Sequence, residues 1–442
     1  MSGKSFKGGI HPGHCKELTE SVPITSARLP EKVVIPLQQH IGAPCEPLVE
    51  VGDEVKAGQK IAASESFVSA PIHASIAGKV VSVDFHYTPI GTKIRSIVIE
   101  SNGSDEHAEG LNPSRKTLDD LSKEEIVQII REAGIVGMGG AAFPTHVKIS
   151  PPEGKKIDTV ILNGAECEPY LTADHRIMLE EPENVVFGLK AVMKALDASA
   201  GVIGIEDNKP DALKTLKEAV KREKNISVFP LPTKYPQGAE KMLIEVITGR
   251  QVPSGGLPLD VNVVNQNVGT SAAIARAILE GTPLIERVVT VSGSGVMNPA
   301  NLMVRIGTTF EDVIEQCGGL TGQVSKVISG GPMMGISLAI TAVPVVKGTS
   351  GILVLTEREV HLGEIGPCIR CSRCIAACPM NLLPNFLGTV SEKRFFDRAE
   401  VFHALDCIEC GCCAYVCPAS RPLTQWIRAS KAEITARKRK LL

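Results

Sequence analysis

Eight of the thirteen cysteines repeat one spacing near the end of the chain. Each copy reads C-x2-C-x2-C-x3-C-P, and the copies are Cys368, Cys371, Cys374 and Cys378 before Pro379, and Cys407, Cys410, Cys413 and Cys417 before Pro418. This spacing is typical of proteins that hold two cubane iron-sulfur clusters, where the fourth cysteine of each run ligates the other cluster. We therefore predict two 4Fe-4S clusters: cluster 1 on Cys368, Cys371, Cys374 and Cys417, and cluster 2 on Cys407, Cys410, Cys413 and Cys378.

Structural zinc is the alternative for these cysteines, because thiolates are soft ligands that suit both metals. Structural zinc sites usually draw on separate C-x2-C pairs. A duplicated run of three cysteines plus a fourth favours iron-sulfur clusters instead. Two clusters this close in sequence predict a path for single electrons, so the upstream residues should form a source or sink of electrons.

A glycine-rich stretch at residues 134–148 could bind phosphate. It contains Gly137, Gly139 and Gly140 and ends at Lys148. Glycines let backbone N–H groups approach a phosphate closely, and a nearby lysine adds a compensating positive charge. A structural turn is the alternative.

An alternation of helices and strands should position that stretch. The helices are predicted at 118–132, 183–196 and 209–224, and the strands at 158–162, 201–205, 226–229 and 261–264. This alternation predicts a parallel sheet covered by helices. Ligands bind beyond the carboxyl ends of such strands, which is where Asn163, Glu166 and Glu168 fall.

Two further stretches of this α/β region could contact a cofactor. Tyr235 lies just before a predicted helix, whose N-terminus would suit an anionic group. Asn267 and Thr270 follow the strand at 261–264, where amides and hydroxyls could bind a polyol chain or the edge of a flavin ring. Capping of the next helix is an equally good interpretation of Asn267 and Thr270.

The remaining chain divides into four more regions. Residues 1–31 are rich in glycine and proline and are predicted to be an extended arm that packs against a neighbouring domain. Residues 32–100 resemble the barrel-sandwich fold of lipoyl and biotinyl carriers, but the hairpin tip at 64–69 lacks the lysine that a carrier needs. We predict domain boundaries at 1–31, 32–100, 118–285, 286–356 and 360–442, with 101–117 as a linker. Paired strands at 288–293 and 300–307 make 286–356 similar to a β-grasp (SLBB) module, and the last region is predicted to be helical.

The composition excludes several classes of protein. A net charge of −2 and only 4% aromatic residues argue against a nucleic-acid-binding protein. No apolar run approaches the roughly 18 to 20 residues of a membrane-spanning helix. The first ten residues lack a signal-peptide hydrophobic stretch, so we expect reduced thiols in the cytosol.

The combination of motifs resembles known redox proteins. The glycine-rich stretch, Phe143 and the Asn163, Glu166 and Glu168 motif are similar to the FMN and NADH pocket of the complex I flavoprotein. The order of all five regions resembles the RnfC family of the Rnf complex, an ion-translocating ferredoxin:NAD oxidoreductase. This resemblance implies a peripheral protein on the cytoplasmic face of the membrane. Its implied partners are integral membrane subunits, a ferredoxin-like iron-sulfur subunit and, indirectly, ferredoxin.

The resemblance also implies roles for single residues. Gly137, Gly139, Gly140 and Lys148 would hold the phosphate and ribityl of non-covalently bound FMN. Asn163, Glu166 and Glu168 would line the flavin ring and the nicotinamide of NAD(H), the substrate. Tyr235, Asn267 and Thr270 would close the flavin site, and Phe143 would stack on adenine. Two residues depart from the complex I pattern: Met138 replaces an arginine, and Ala165 replaces an aspartate that bonds the flavin in that relative.

Nicotinamide exchanges electrons in pairs and iron-sulfur clusters exchange them singly, so a flavin between them is the expected converter. No residue is expected to act as a catalytic acid or base. Two alternatives remain open at this stage. One is a soluble cobalamin reductase with flavin and clusters, and the other is a non-catalytic electron carrier whose glycine-rich loops are only turns.

Overall fold

The computed structural model describes residues 5–110, 117–360 and 363–441, with side chains as far as residue 439. Part of the predicted arm, including residues 1–4, and part of the predicted linker, including Asn112 and Pro113, lie outside the described residues. The arm contributes strand β1 (Ile24–Ser26).

Two small sheets form the first domain, as expected for a barrel-sandwich. The strands are β2 (Lys32–Pro36), β3 (Glu46–Pro47), β4 (Glu54–Val55), β5 (Lys60–Ala63), β6 (Ile72–His73), β7 (Gly78–Tyr87) and β8 (Lys93–Ser101). One sheet has the order β2-β8-β7-β4, and the other has the order β3-β5-β6. Alternate residues of the strands, such as Val33, Ile35, Ile97 and Ile99, fill the core between them.

A four-stranded parallel sheet forms the centre of the second domain. The elements are α1 (Lys123–Glu132), α2 (Thr145–Lys148), β9 (Thr159–Gly164), α3 (Ala173–Glu180), α4 (Pro182–Leu196), β10 (Ala200–Glu206), α5 (Pro210–Ala219), β11 (Ile226–Leu231), α6 (Glu240–Thr248), β12 (Val263–Asn267) and α7 (Val268–Leu279). The order is β11-β10-β9-β12, and every neighbouring pair is parallel, so the predicted parallel sheet is confirmed. Strand β9 is almost wholly buried, because helices cover both faces of the sheet.

The third domain is a mixed sheet with one helix. Its elements are β13 (Glu286–Ser292), β14 (Ala300–Arg305), α8 (Phe310–Gln316), β15 (Val324–Ser329), β16 (Ile336–Ser337) and β17 (Gly351–Thr356). The predicted pairing of β13 with β14 is confirmed, and it is antiparallel. Strand β1 of the arm pairs in parallel with β14 at the edge of this sheet, which sequence reasoning missed.

The last domain is helical around the cysteines. Its helices are α9 (Arg373–Ala377), α10 (Pro384–Glu392), α11 (Phe396–Val401), α12 (Cys412–Tyr415) and α13 (Leu423–Leu441). The basic end of the chain belongs to α13, where Arg437 pairs with Glu433 and Asp397, and Lys438 pairs with Glu400. The side chain of Lys440 lies outside the described part.

The arm crosses between the domains, as predicted for a segment that packs against its neighbours. Phe6 lies in the apolar core beneath the parallel sheet, with Ile161 and Leu243. The Gly9 N–H donates to the carbonyl of Ala377 in the cysteine-rich domain, and Ile10 pairs with Tyr235. Within the described ranges, no helix is both long enough and apolar enough to cross a membrane.

Candidate functional site

The glycine loop, residues 137–143, is a tight and partly open turn beside the N-terminus of α7. The Gly137 N–H donates to the Phe143 carbonyl at 2.9 Å and closes the loop. The Met138 N–H donates to the Thr270 hydroxyl at 2.9 Å, so Thr270 fixes the loop to α7. A Cβ on Gly139 would lie 2.6 Å from the side-chain nitrogen of Asn267, whereas Gly140 faces open space. The loop therefore exposes backbone at the place where sequence reasoning predicted a phosphate.

Lys148 ends helix α2 close to the carboxyl end of β12. Its Nζ donates to the carbonyl of Asn265 at 2.9 Å and lies 3.4 Å from a carboxylate oxygen of Glu240. The side chain is half-buried, so its charge can still reach a ligand. An anionic group beside the glycine loop would thus find the positive charge that was predicted.

Three buried amide side chains near these elements have unused polar atoms. Among the described residues, Gln237, Asn265 and Gln266 each bury at least one side-chain nitrogen or oxygen without a hydrogen-bond partner. Burying an unpaired amide group costs about 1–3 kcal/mol. These atoms are consistent with a site for a polar ring that has both donors and acceptors, such as a flavin, and the residues present fit that cofactor.

Asn163 and Ala165 shape the start of the acidic loop, residues 165–171. The Asn163 side chain donates to the Gly238 carbonyl at 2.8 Å and accepts from the Ala165 N–H. Ala165 itself is fully buried among apolar residues that include Ile161 and Leu231. The polar contact that an aspartate supplies at this position in complex I is therefore absent at Ala165.

Glu166 caps helix α3 and lies close to a second acid that sequence reasoning missed. Its carboxylate accepts from the N–H groups of Asp174 and His175 at 2.7 and 3.1 Å. The Asp174 carboxylate accepts from the Asn267 amide at 2.6 Å. Burial, together with the nearby charge of Glu166, raises the pKa of Asp174 to about 7. Helix α3 was not predicted, so no sequence signal pointed to Asp174.

The Glu168 carboxylate points toward the third domain. It accepts from the N–H groups of Met333 and Met334 at 3.0 and 2.9 Å. The Tyr235 hydroxyl lies 3.4 Å from one of its oxygens. Burial raises the pKa of Glu168 to about 7, and these three donors oppose that shift. Its predicted role beside the nicotinamide stays a prediction, as does the stacking role of Phe143, which is half-buried at the end of the glycine loop.

Tyr235 links the acidic loop to the cysteine-rich domain. Its ring is 2% exposed, and its hydroxyl donates to the carbonyl of Cys410 at 2.7 Å. Ile10 of the arm and Ala377 pack around the same junction. The structure thus places Tyr235 between Glu168 and one of the predicted cluster ligands.

The eight predicted cluster cysteines line two separate hollows. The cluster 1 hollow, of about 400 Å³, is lined by Cys368, Cys371, Cys374 and Cys417. The cluster 2 hollow, of about 360 Å³, is lined by Cys378, Cys407, Cys410 and Cys413, and also by Cys412, which lies outside the repeated spacing. The geometry brings together the two sets that the crossed assignment predicted.

The hollows do not suit a single zinc ion. Zn–S bonds of about 2.3 Å would draw four sulfurs to within about 4 Å of one another. Across residues 5–110, 117–360 and 363–441, no group of three or more Cys, His, Asp or Glu side chains is arranged to hold one metal ion. Burial also raises the pKa of Cys407 to about 11 and that of Cys413 to about 12, so a bound metal would be needed to make them thiolates at neutral pH.

Four family descriptions match the chain in sequence order. They are the RnfC barrel sandwich hybrid domain at 4–104, the Nuo51 FMN-binding domain at 130–276, the SLBB domain at 288–337 and the 4Fe-4S dicluster domain at 367–420. These matches confirm the predicted fold classes and their order, and they support FMN and two iron-sulfur clusters as cofactors. The predicted domain boundaries and the individual site residues stay predictions.

Whole-length relatives are also similar to this chain. The RnfC protein of the proton-translocating ferredoxin:NAD(+) oxidoreductase complex of Clostridium ljungdahlii is 54% identical over 97% of this chain and 94% of that protein. The corresponding protein of the Na(+)-translocating complex of Acetobacterium woodii is 49% identical over 99% and 98%. Among solved structures, a chain of an NAD+-reducing [NiFe]-hydrogenase is 20% identical with a TM-score of 0.49, covering 72% of this chain and 67% of that one.

Proposed function

Because this chain belongs to the RnfC family of the ion-translocating ferredoxin:NAD(+) oxidoreductase (Rnf) complexes, we propose that it is the NADH- and FMN-binding subunit of such a complex. It passes single electrons between two 4Fe-4S clusters and FMN, and it passes hydride between FMN and NAD. The alternative of a soluble cobalamin reductase is not favoured, since the relatives that cover nearly the whole chain are named as subunits of the oxidoreductase complex.

The contact between the acidic loop and the cluster 2 hollow carries this proposal. Glu168, Tyr235 and the Cys410 carbonyl form a continuous set of polar contacts across the domain junction. A non-catalytic carrier would have no need to fix a nucleotide-type loop against a cluster ligand. The two kinds of redox site are therefore held at one packed junction.

Each group of residues has a separate task when the cofactor is bound. Flavin supplies the chemistry that links a two-electron hydride to single electrons. The glycine loop and Lys148 bind its phosphate and ribityl, and Asn163 and Glu166 orient the ring and the nicotinamide. Packed side chains such as Tyr235 exclude water from the junction with the cluster 2 hollow.

We place the protein on the cytoplasmic face of the membrane as a peripheral subunit. Its partners are the integral membrane subunits and a ferredoxin-like iron-sulfur subunit of the complex. The exposed cysteines of the cluster 1 hollow, Cys368 and Cys371, support docking of an electron-exchanging partner on that side.

Anaerobic purification followed by iron, sulfide and flavin assays tests the proposal. We expect about eight irons per chain from two cubane clusters, together with one flavin. Stopped-flow mixing with NADH should then bleach the flavin absorbance and reduce the clusters. A protein that holds zinc in place of iron, or that stays colourless at flavin wavelengths after reconstitution, would contradict the proposed function.

Replacing Lys148 tests the predicted phosphate contact. Lys148→Ala should weaken FMN retention by about tenfold or more, since a charge-assisted hydrogen bond contributes about 1.5–3 kcal/mol. Flavin content after gel filtration measures this, with the exposed Lys156→Ala as the matched control. Equal flavin content in the two variants would remove Lys148 from the phosphate site.

A further inference from the structure

We propose that Lys16 of the N-terminal arm is a positioning residue for the cofactor site, because its ammonium group holds the backbone of the acidic loop in shape. This inference rests on the proposed function and extends it to the arm, which contains none of the predicted cofactor-binding residues. The arm then acts as an intramolecular strap that completes the site.

The contacts of Lys16 converge on one short segment. Its Nζ donates to the carbonyls of Glu166 and Glu168, both at 2.9 Å, and to the carbonyl of Leu171. These acceptors lie 150 to 155 residues away in sequence. Three donors on one tetrahedral ammonium group thus match three carbonyls of a single loop.

A second lysine holds the start of the same loop. Lys209, which is 1% exposed, donates to the Ala165 carbonyl at 2.7 Å and pairs with the buried Glu206. Lys16 is 4% exposed and has backbone carbonyls as its direct partners, where Lys209 also has a carboxylate. Burying an ammonium group is costly, so its cost must be offset by these carbonyl contacts.

The loop needs such support because its backbone is strained. Glu166 and Tyr170 adopt φ values of 46° and 68°, a region that residues with a Cβ rarely occupy. Such conformations persist where surrounding contacts over-determine them. The arm supplies one more of these contacts, since the His14 carbonyl accepts from the Tyr170 N–H at 2.9 Å.

The orientation of the carbonyls explains how the arm affects the site. Because the carbonyls of Glu166 and Glu168 turn toward Lys16, their side chains are directed to other partners. Glu166 then caps α3, and Glu168 reaches Met333 and Tyr235. Without the ammonium group, the loop would relax and both carboxylates would lose their placement.

Amide hydrogen exchange on the flavin-free protein tests the positioning role directly. In Lys16→Met, the amides of residues 166–172 should exchange at least about tenfold faster than in the wild type, while helix α13 stays unchanged. Lys7→Met, at an exposed position of the same arm, should match the wild type. Unchanged exchange at 166–172 in a folded Lys16→Met protein would overturn the proposal.

Flavin titration and chemical rescue provide a second readout. Lys16→Ala should bind FMN about tenfold or more weakly, and propylamine, which can replace the missing ammonium group, should restore part of the affinity. Iron content near wild type would show that the variant has folded. Wild-type affinity without amine would overturn the inference, whereas failure of the wild type itself to bind FMN would refute the proposed function and leave the exchange experiment to judge Lys16.

Discussion

In the cluster 1 hollow Cys368 and Cys371 are exposed, whereas in the cluster 2 hollow Cys410 and Cys413 are buried. The sequence spacing of the two runs is the same, so the difference comes from the neighbouring domains. The arm, the acidic loop and Met333 cover the cluster 2 side. By contrast, every residue from 367 to 373 on the cluster 1 side is exposed.

This comparison shows how one motif can serve two purposes. Solvent exposure, hydrogen bonding and local charge set the potential of an iron-sulfur cluster. The buried hollow suits exchange with a cofactor inside the same chain, and the exposed hollow suits exchange with a partner protein. Arg370 and Arg421 line the exposed hollow, whereas Glu409 lines the buried one.

Removing one cysteine from each hollow gives the largest expected effect. Cys371→Ala and Cys410→Ala should each lose about four of about eight irons. NADH should still reduce the remaining cluster in Cys371→Ala, because the buried hollow beside the acidic loop is intact. NADH should fail to reduce the remaining cluster in Cys410→Ala.

Electron paramagnetic resonance of the NADH-treated variants measures this difference. Tyr235 donates to the backbone carbonyl of Cys410, so the alanine keeps that hydrogen bond. Equal reduction of the remaining cluster in the two variants would show that the hollows do not act in the inferred order.

Local patterns in the sequence were enough to predict the parallel sheet and the two cysteine sets. Strand β9 is a continuous apolar run, and the cysteines carry their spacing within 51 residues. The surroundings of the site depend instead on contacts between distant residues. Glu168 meets Met333 across 165 positions, and no periodicity in either segment indicates that contact.

The arm illustrates the same limit. Its glycines and prolines predicted an extended segment that packs on a neighbour, but not which carbonyls Lys16 would meet. Strand β1 has three residues and pairs with β14, nearly 280 positions later. Short strands at a sheet edge carry too few residues for an alternating pattern to stand out. The roles of Lys16 and Asp174 were missed because their hydrogen-bond partners lie 93 to 155 positions away.

The acid next to the buried hollow should make stability depend on pH. Glu168 has a pKa of about 7 in the folded protein, against an ordinary 4.5. The folded state therefore holds this proton more tightly than the unfolded chain does. The resulting stabilisation is fully present below pH 4.5 and is lost as the pH rises through about 7, by an amount on the order of 3 kcal/mol.

Urea unfolding of wild type and Glu168→Gln at pH 5 and pH 8 measures this term. The free energy of unfolding of the wild type should fall more between these pH values than that of the variant. Asp174 contributes in the same direction, but it is present in both proteins. Glu315→Gln, at an exposed position of α8, should behave as the wild type does. Parallel pH dependences in wild type and Glu168→Gln would contradict the assignment.

The smallest expected effect concerns the surface of the exposed hollow. Arg370 and Arg373 are exposed beside Cys368 and Cys371, and apolar Ile369 is 65% exposed between them. An acidic one-electron carrier would be attracted to this side. The double variant Arg370→Gln, Arg373→Gln should therefore slow electron exchange with reduced ferredoxin by about two- to tenfold at low salt. The difference should shrink at about 0.5 M salt, where charges are screened.

Flavin reduction by NADH separates this surface effect from damage to the interior. That step should be unchanged in the double variant, because the buried hollow and the glycine loop keep all their contacts. Lys214→Gln, Lys217→Gln makes the same change of charge on helix α5 and serves as the control. If both double variants slow ferredoxin exchange equally, the attraction belongs to the net charge of the whole protein. A loss confined to Arg370 and Arg373 would place the docking surface beside cluster 1, because these side chains differ from the control pair in position and not in charge.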